Sequence, residues 1–178
     1  MGDERALPCD SLRAPPAAFL GGVTGWWVWL LAGLLLTACQ DVRFSYKGTT
    51  ARPENRIALA AGTSLAGRWV TPDLEIQYRI STGADRLHIT GDVVLAARLQ
   101  TGYTAVDRLF VGLNLLDDDN LVLESLTFAL SGHRQPLRSW HFERELAMPP
   151  GTSGLAFSYD GKVSEGGGGT DWEFWRGP

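Results

Sequence analysis

The stretch LEIQYRI, residues 74–80, puts Leu74, Ile76, Tyr78 and Ile80 on one side of an extended chain and Glu75, Gln77 and Arg79 on the other. Alternation with a period of two describes a strand with one buried face. The same pattern recurs on both sides of it. Leu87 and Ile89 alternate with Arg86, His88 and Thr90, and Val93, Leu95, Ala97 and Leu99 follow after Gly91-Asp92. Leu109, Val111, Leu113 and Leu115 alternate with Arg108, Phe110, Gly112 and Asn114. After Asp117-Asp118-Asp119-Asn120 the alternation resumes with Val122, Leu126, Phe128 and Leu130. Trp140, Phe142 and Leu146 face away from His141, Glu143 and Glu145, and Leu155, Phe157 and Tyr159 are joined to Trp172 and Phe174 through a glycine run.

Turn-forming residues fall between these runs: Thr82-Gly83, Gly91-Asp92, Thr101-Gly102, Ser131-Gly132, Pro149-Pro150-Gly151 and Asp160-Gly161. Short strands punctuated about every 10–15 residues, without a convincing helical period, predict an antiparallel β-sandwich. The expected architecture is all-β, one domain over residues 56–178. Ile57–Ala61 fits a strand or a helical turn. Residues 39–55 mix charge, Gly, Thr and Pro and read as a tether, with room for a short first strand at Val42–Tyr46. Charges on both faces of the strands argue against a membrane barrel.

Ahead of this domain stands FLGGVTGWWVWLLAGLLLTAC, residues 19–39, with no ionisable side chain before its cysteine. It is long enough to cross a bilayer core of roughly 30 Å as a helix. Its most apolar part, Trp26–Leu36, has the length of a signal-peptide core. The closing residues Leu36-Thr37-Ala38-Cys39 resemble the lipobox of bacterial lipoproteins, in which Leu, a small residue, Ala or Gly, and Cys occur in that order. The resemblance implies cleavage between Ala38 and Cys39, a diacylglycerol on the Cys39 thiol and acylation of the new amino terminus. Residues 1–38 would then be a lipoprotein signal peptide and residues 39–55 a lipidated tether. The membrane would be a partner through the lipid on Cys39. Gln40, rather than Asp, directly after the cysteine implies an outer-membrane anchor facing the periplasm under the family's sorting rule. An uncleaved transmembrane anchor is the alternative reading of the same stretch. The cysteine count weighs against it: of two cysteines, Cys9 would leave with the leader, and the other stands where the lipid goes.

A net charge of −4 gives no electrostatic reason to expect nucleic acid. Asp117, Asp118 and Asp119 form the densest charge cluster and are the candidate metal ligands, since Ca²⁺ prefers oxygen donors. Their consecutive spacing departs from the alternating calcium loop, and Asp and Asn are ordinary turn formers, so a hairpin tip is the competing reading. His141, Glu143 and Glu145 share one strand face and could bind a metal or move protons; a solvent-facing row is the competing reading. His88 and His133 complete the histidines without ligand spacing.

Gly62-Thr63-Ser64-Leu65-Ala66 approaches a nucleophile elbow but ends in Ala and lacks a strand–turn–helix setting. No phosphate-binding glycine loop occurs, and no cofactor is expected. Trp172, Phe174 and Trp175 are the candidate ligand-binding residues, because exposed tryptophan on a sandwich can stack on sugar rings; core filling is the alternative. The expected function is a membrane-anchored envelope lipoprotein presenting a binding or structural module to a protein or glycan partner. A carbohydrate-binding module and a hydrolytic envelope enzyme are the alternatives.

Overall fold

The computed structural model describes residues 45–165 and 169–178. The expected leader, Ala38, Cys39, Gln40 and the start of the expected short strand at Val42–Tyr46 lie outside the described residues, as do residues 166–168 of the glycine run. The fold is the expected all-β sandwich. Its strands are β1 (Ile57–Ala58), β2 (Ser64–Val70), β3 (Leu74–Thr82), β4 (Arg86–Leu95), β5 (Ala105–Leu116), β6 (Val122–Pro136), β7 (Trp140–Ala147), β8 (Gly154–Ser164) and β9 (Asp171–Arg176). One short helix, α1 (Ala97–Gly102), joins β4 to β5.

A four-stranded sheet runs in the order β2-β3-β4-β7 and a five-stranded sheet in the order β1-β8-β5-β6, with β9 also paired to β8. All pairings are antiparallel. The LEIQYRI alternation decides which face of β3 is core: Leu74, Ile76 and Ile80 are buried, while Gln77 and Arg79 are exposed. From the facing sheet Leu109, Val111, Leu113, Leu115, Leu155 and Phe157 close the same core. Alternating burial on both sheets therefore produces the sandwich.

Three expected turns are strand interiors. Gly91-Asp92 lies inside β4, Ser131-Gly132 inside β6 and Asp160-Gly161 inside β8. Aromatic rings explain two of them. Phe142 of β7 lies over Gly91, so that a Cβ there would stand 2.6 Å from its ring, and the Phe174 ring lies over Gly161 in the same way. The glycines make room for rings that fill the core, and no change of direction follows. Ala97 and Leu99, read as strand, belong to α1, where Leu99 is buried. Ile57–Ala58 resolves as the short strand β1, paired with Gly154 and Leu155.

Residues 45–55, expected within the tether, lie on the domain. Gly48 N–H donates to Val122 O at 2.9 Å, Val122 N–H to Thr49 O at 2.8 Å and Ala51 N–H to Asn120 O at 2.8 Å. Ala51 joins Leu116, Val122 and Ala156 in a second apolar cluster on the outer face of the five-stranded sheet, with Tyr46 packed against it. Beneath this segment a polar row is tied together through Asn114. Tyr46 N–H donates to Ser125 Oγ, whose hydroxyl donates to Asn114 Oδ1 at 2.8 Å. Asn114 Nδ2 in turn donates to Ala156 O and to Ser158 Oγ. With its amide nitrogen and oxygen both partnered, a fully buried asparagine can sit there.

Candidate functional site

The polar side chains of β4 and β7 meet on the outer face of the four-stranded sheet because the register sets Asp92 opposite His141, Thr90 opposite Glu143 and His88 opposite Glu145. His141 Nδ1 lies 3.0 Å from Asp92 Oδ1, and His88 Nε2 lies 2.8 Å from Glu143 Oε1. Arg86 Nη1 donates to Glu145 Oε1 at 2.9 Å. The three residues read along β7 are thus each engaged by a side chain of β4, and they point along the face as separate pairs. His88 was placed by the sequence in no constellation; its neighbourhood with Glu143 arises from pairing across strands.

Next to these pairs a groove of about 400 Å³ is lined by Ala66, Gln77, Arg79, Thr90, Asp92 and His141. Cross-strand pairing fixes its shape. Small Ala66 and Thr90 flank Arg79 in one row, Gln77 and Asp92 stand in the next, and the backbone of Gly67, Tyr78 and Gly91 forms the floor. Among the described residues the Arg79 guanidinium has no hydrogen-bond or ion-pair partner. The groove therefore offers a cation, an amide, a hydroxyl and an imidazole on an open surface, with the Asp92 carboxylate held against the imidazole. A free guanidinium among mixed donors and acceptors suits a polyhydroxylated ligand or one bearing an anionic group.

Hydrolytic chemistry needs a nucleophile, a base and an orienting group in contact. Ser81 pairs with His88 on this face, yet both are exposed, and among the described residues no hydrogen bond joins them. The His88 imidazole and Glu143 carboxylate are 46% and 63% exposed, so the pair stands in water rather than in a cleft.

Asp117, Asp118 and Asp119 form the tip of the β5–β6 hairpin. Asp117 Oδ1 accepts the backbone N–H groups of Asp119 and Leu121, and Asn120 takes the left-handed conformation that closes the turn, with φ 64°. The concave side is filled by Arg56. Its Nη1 donates to Asp117 O at 2.6 Å and to Asn120 Oδ1 at 2.9 Å, and its Nη2 donates to Ser153 Oγ. A resident guanidinium occupies the space a cation would take. Among the described residues no group of three His, Cys, Asp or Glu side chains is arranged to hold a metal.

The aromatic candidates of β9 part company. Phe174 is buried in the core against Tyr159. Trp172 pairs with Val163 and faces inward at the open side of the sandwich, with the Arg98 guanidinium 5.9 Å from its ring centre. Trp175 pairs with Asp160, faces outward and is 72% exposed. Two tryptophans on opposite faces do not form one stacking platform.

Elsewhere, burial raises the phenol pKa of Tyr159, with its hydrogen bond to Asp73 acting in the same direction. Burial likewise raises Tyr46 and Tyr78. Among the described residues no helix is long and apolar enough to cross a membrane.

The chain matches no family model, no curated protein and no solved structure. Fold and site together define an all-β sandwich with an open, hydrophilic sheet face.

Proposed function

We propose that this chain is a lipid-anchored protein of the bacterial cell envelope, held by acyl groups on Cys39, with its β-sandwich serving as a binding module. The observation that carries the proposal is the position of Cys39, directly after Leu36-Thr37-Ala38 at the end of an apolar stretch and alone among the residues that follow the leader. Each acyl chain contributes about 0.8 kcal/mol per buried CH₂, so two or three hold a protein firmly in a bilayer. The presented surface is the groove around Arg79, and its partner is a hydrophilic envelope component bearing anionic or hydroxyl groups. Arg79 carries this part of the reading as an unpaired cation among donors on an open face. A sugar-stacking module is less well supported, because Phe174 is in the core and Trp172 and Trp175 diverge.

The anchor is tested by expressing the full chain and its Cys39→Ser variant with a labelled fatty acid. Wild type takes up label and stays with membranes through an alkaline wash, and the variant does neither. Equal retention of the two without label would point to a transmembrane anchor instead. In a host with two membranes, wild type is expected in the outer-membrane fraction and Gln40→Asp in the inner one. For the groove, Arg79→Ala should weaken capture of envelope material by the anchored protein; undiminished capture would move the binding surface elsewhere.

A further inference from the structure

The geometry points to a second membrane contact: the outer face of the five-stranded sheet, around Tyr46 and Trp175, docks onto the surface of the bilayer that holds Cys39. The inference rests on the acylation of Cys39 proposed above. Five residues, Gln40–Phe44, separate that cysteine from Ser45. A chain of that length spans at most about 20 Å even when fully extended. From Tyr46 onward the chain is pinned to the sheet by the Tyr46–Ser125 bond and by the pairing of residues 48–51 with residues 120–122. The sandwich cannot stand off at the end of a long tether, and the face that receives the segment is the one held near the lipid.

That face has the composition of an interfacial contact. Trp175, Asp160, Phe110 and Ala129 form one cross-strand row on it. Tyr46 lines a small hollow with Phe110 and Asp160 and lies near the chain at Gly177. Trp175 is the most exposed large apolar side chain among the described residues. Tryptophan and tyrosine combine an apolar body with a polar tip and favour the headgroup level of bilayers. The charges nearby are paired within the face: Arg108 with Asp160 at 2.7 Å and with Glu173 at 3.4 Å, and Lys162 with Asp171 at 2.7 Å. Each of these charges has an opposite partner, with Arg108 shared by two carboxylates, so the apolar groups can meet lipid while the ion pairs stay at the headgroup level. On the opposite side of the sandwich the Arg79 groove is left facing outward, where a partner can reach it.

The absence of a thiol in the processed, acylated chain makes the test site-specific. Single Glu173→Cys and Arg79→Cys variants are labelled with a bimane probe and placed, as acylated protein, in phosphatidylcholine vesicles with brominated acyl chains. Bromine should quench the probe at 173 several-fold more than the probe at 79, and adding Trp175→Ala should shrink that difference. Equal quenching at the two positions overturns the docking, and so does a difference that Trp175→Ala leaves unchanged. The chain without an introduced cysteine serves as the control. Labelling of it at Cys39 shows that acylation itself has failed, and the docking falls with it.

Discussion

Tyr159 of β8 donates its hydroxyl to Asp73 Oδ2 across 2.6 Å, tying a central strand of one sheet to the loop that opens β3 in the other. Asp73 also holds Arg98 of α1, and the Tyr159 hydroxyl lies 3.2 Å from Thr71 Oγ1. The four side chains close one side of the sandwich with polar contacts. Trp69 packs there against Phe157 and Tyr159, so the phenol is shielded on its ring side.

Replacing Tyr159 with Phe removes the donor while Asp73 keeps Arg98. The expected cost is about 1.5–3 kcal/mol in urea unfolding, the worth of a hydrogen bond to a charged acceptor. The pH dependence has a definite sign. Because the folded state raises the phenol pKa, full stability is present below the unfolded value of about 10 and is lost as pH rises above it. Wild type should therefore lose stability above that pH more steeply than Tyr159→Phe. Parallel curves would mean that the phenol is not shielded as described.

Gly91→Ala is expected to destabilise by roughly 1–3 kcal/mol, the usual cost of overpacking. A Cβ at 91 would lie 2.6 Å from the Phe142 ring and 2.9 Å from Gln77 O, and the backbone oxygen cannot swing aside. Adding Phe142→Leu should recover part of the loss. Additive effects of the two substitutions in a double-mutant cycle would contradict a ring seated on the glycine.

The core faces were legible because alternation is a local signal: each of Leu74, Ile76, Ile80, Leu87 and Ile89 is buried as its phase requires. What alternation could not give was strand length. Gly91 and Gly161 looked like punctuation, and their reason for being glycine sits on other strands, in Phe142 and Phe174. Residues 45–51 carry no periodic pattern, since they bind by main-chain hydrogen bonds and by the small Ala51, and neither depends on alternating side chains. The acidic hairpin tip was readable from its turn chemistry, whereas Arg56, which fills it, is 61 positions away from Asp117. The Arg79 groove was equally hidden. Its lining comes from four strands, and the sequence distinguishes Arg79 from any other solvent-facing arginine only when its neighbours are known.

Removal of the segment before Arg56 should expose Leu116, Val122 and Ala156 and leave Asn114 with a looser network. A chain of residues 56–178 is expected to keep a strand-dominated circular dichroism spectrum and to be less stable than residues 45–178 by roughly 1–3 kcal/mol, from lost apolar burial and hydrogen bonds. Identical urea midpoints for the two would show that the segment does not stabilise the sheet.

Arg56→Ala should cost about 1.5–3 kcal/mol, because several hydrogen bonds from a charged donor are lost and the hairpin carbonyl of Asp117 is left without it. Lysine should rescue poorly, since a single ammonium does not reproduce the guanidinium fork. Millimolar Ca²⁺ should leave the wild-type Tm unchanged, with Arg56 already in the loop. A Ca²⁺-dependent rise in Tm would return Asp117, Asp118 and Asp119 to the role of metal ligands.

The most direct test of the central claim is the intact mass of the protein extracted from cell membranes. The account predicts a chain that begins at Cys39, lacks residues 1–38 and carries the added mass of a diacylglyceryl group with or without a third acyl chain. A chain that retains the stretch from Phe19 to Ala38, or one that begins at Cys39 with a free thiol, would contradict it.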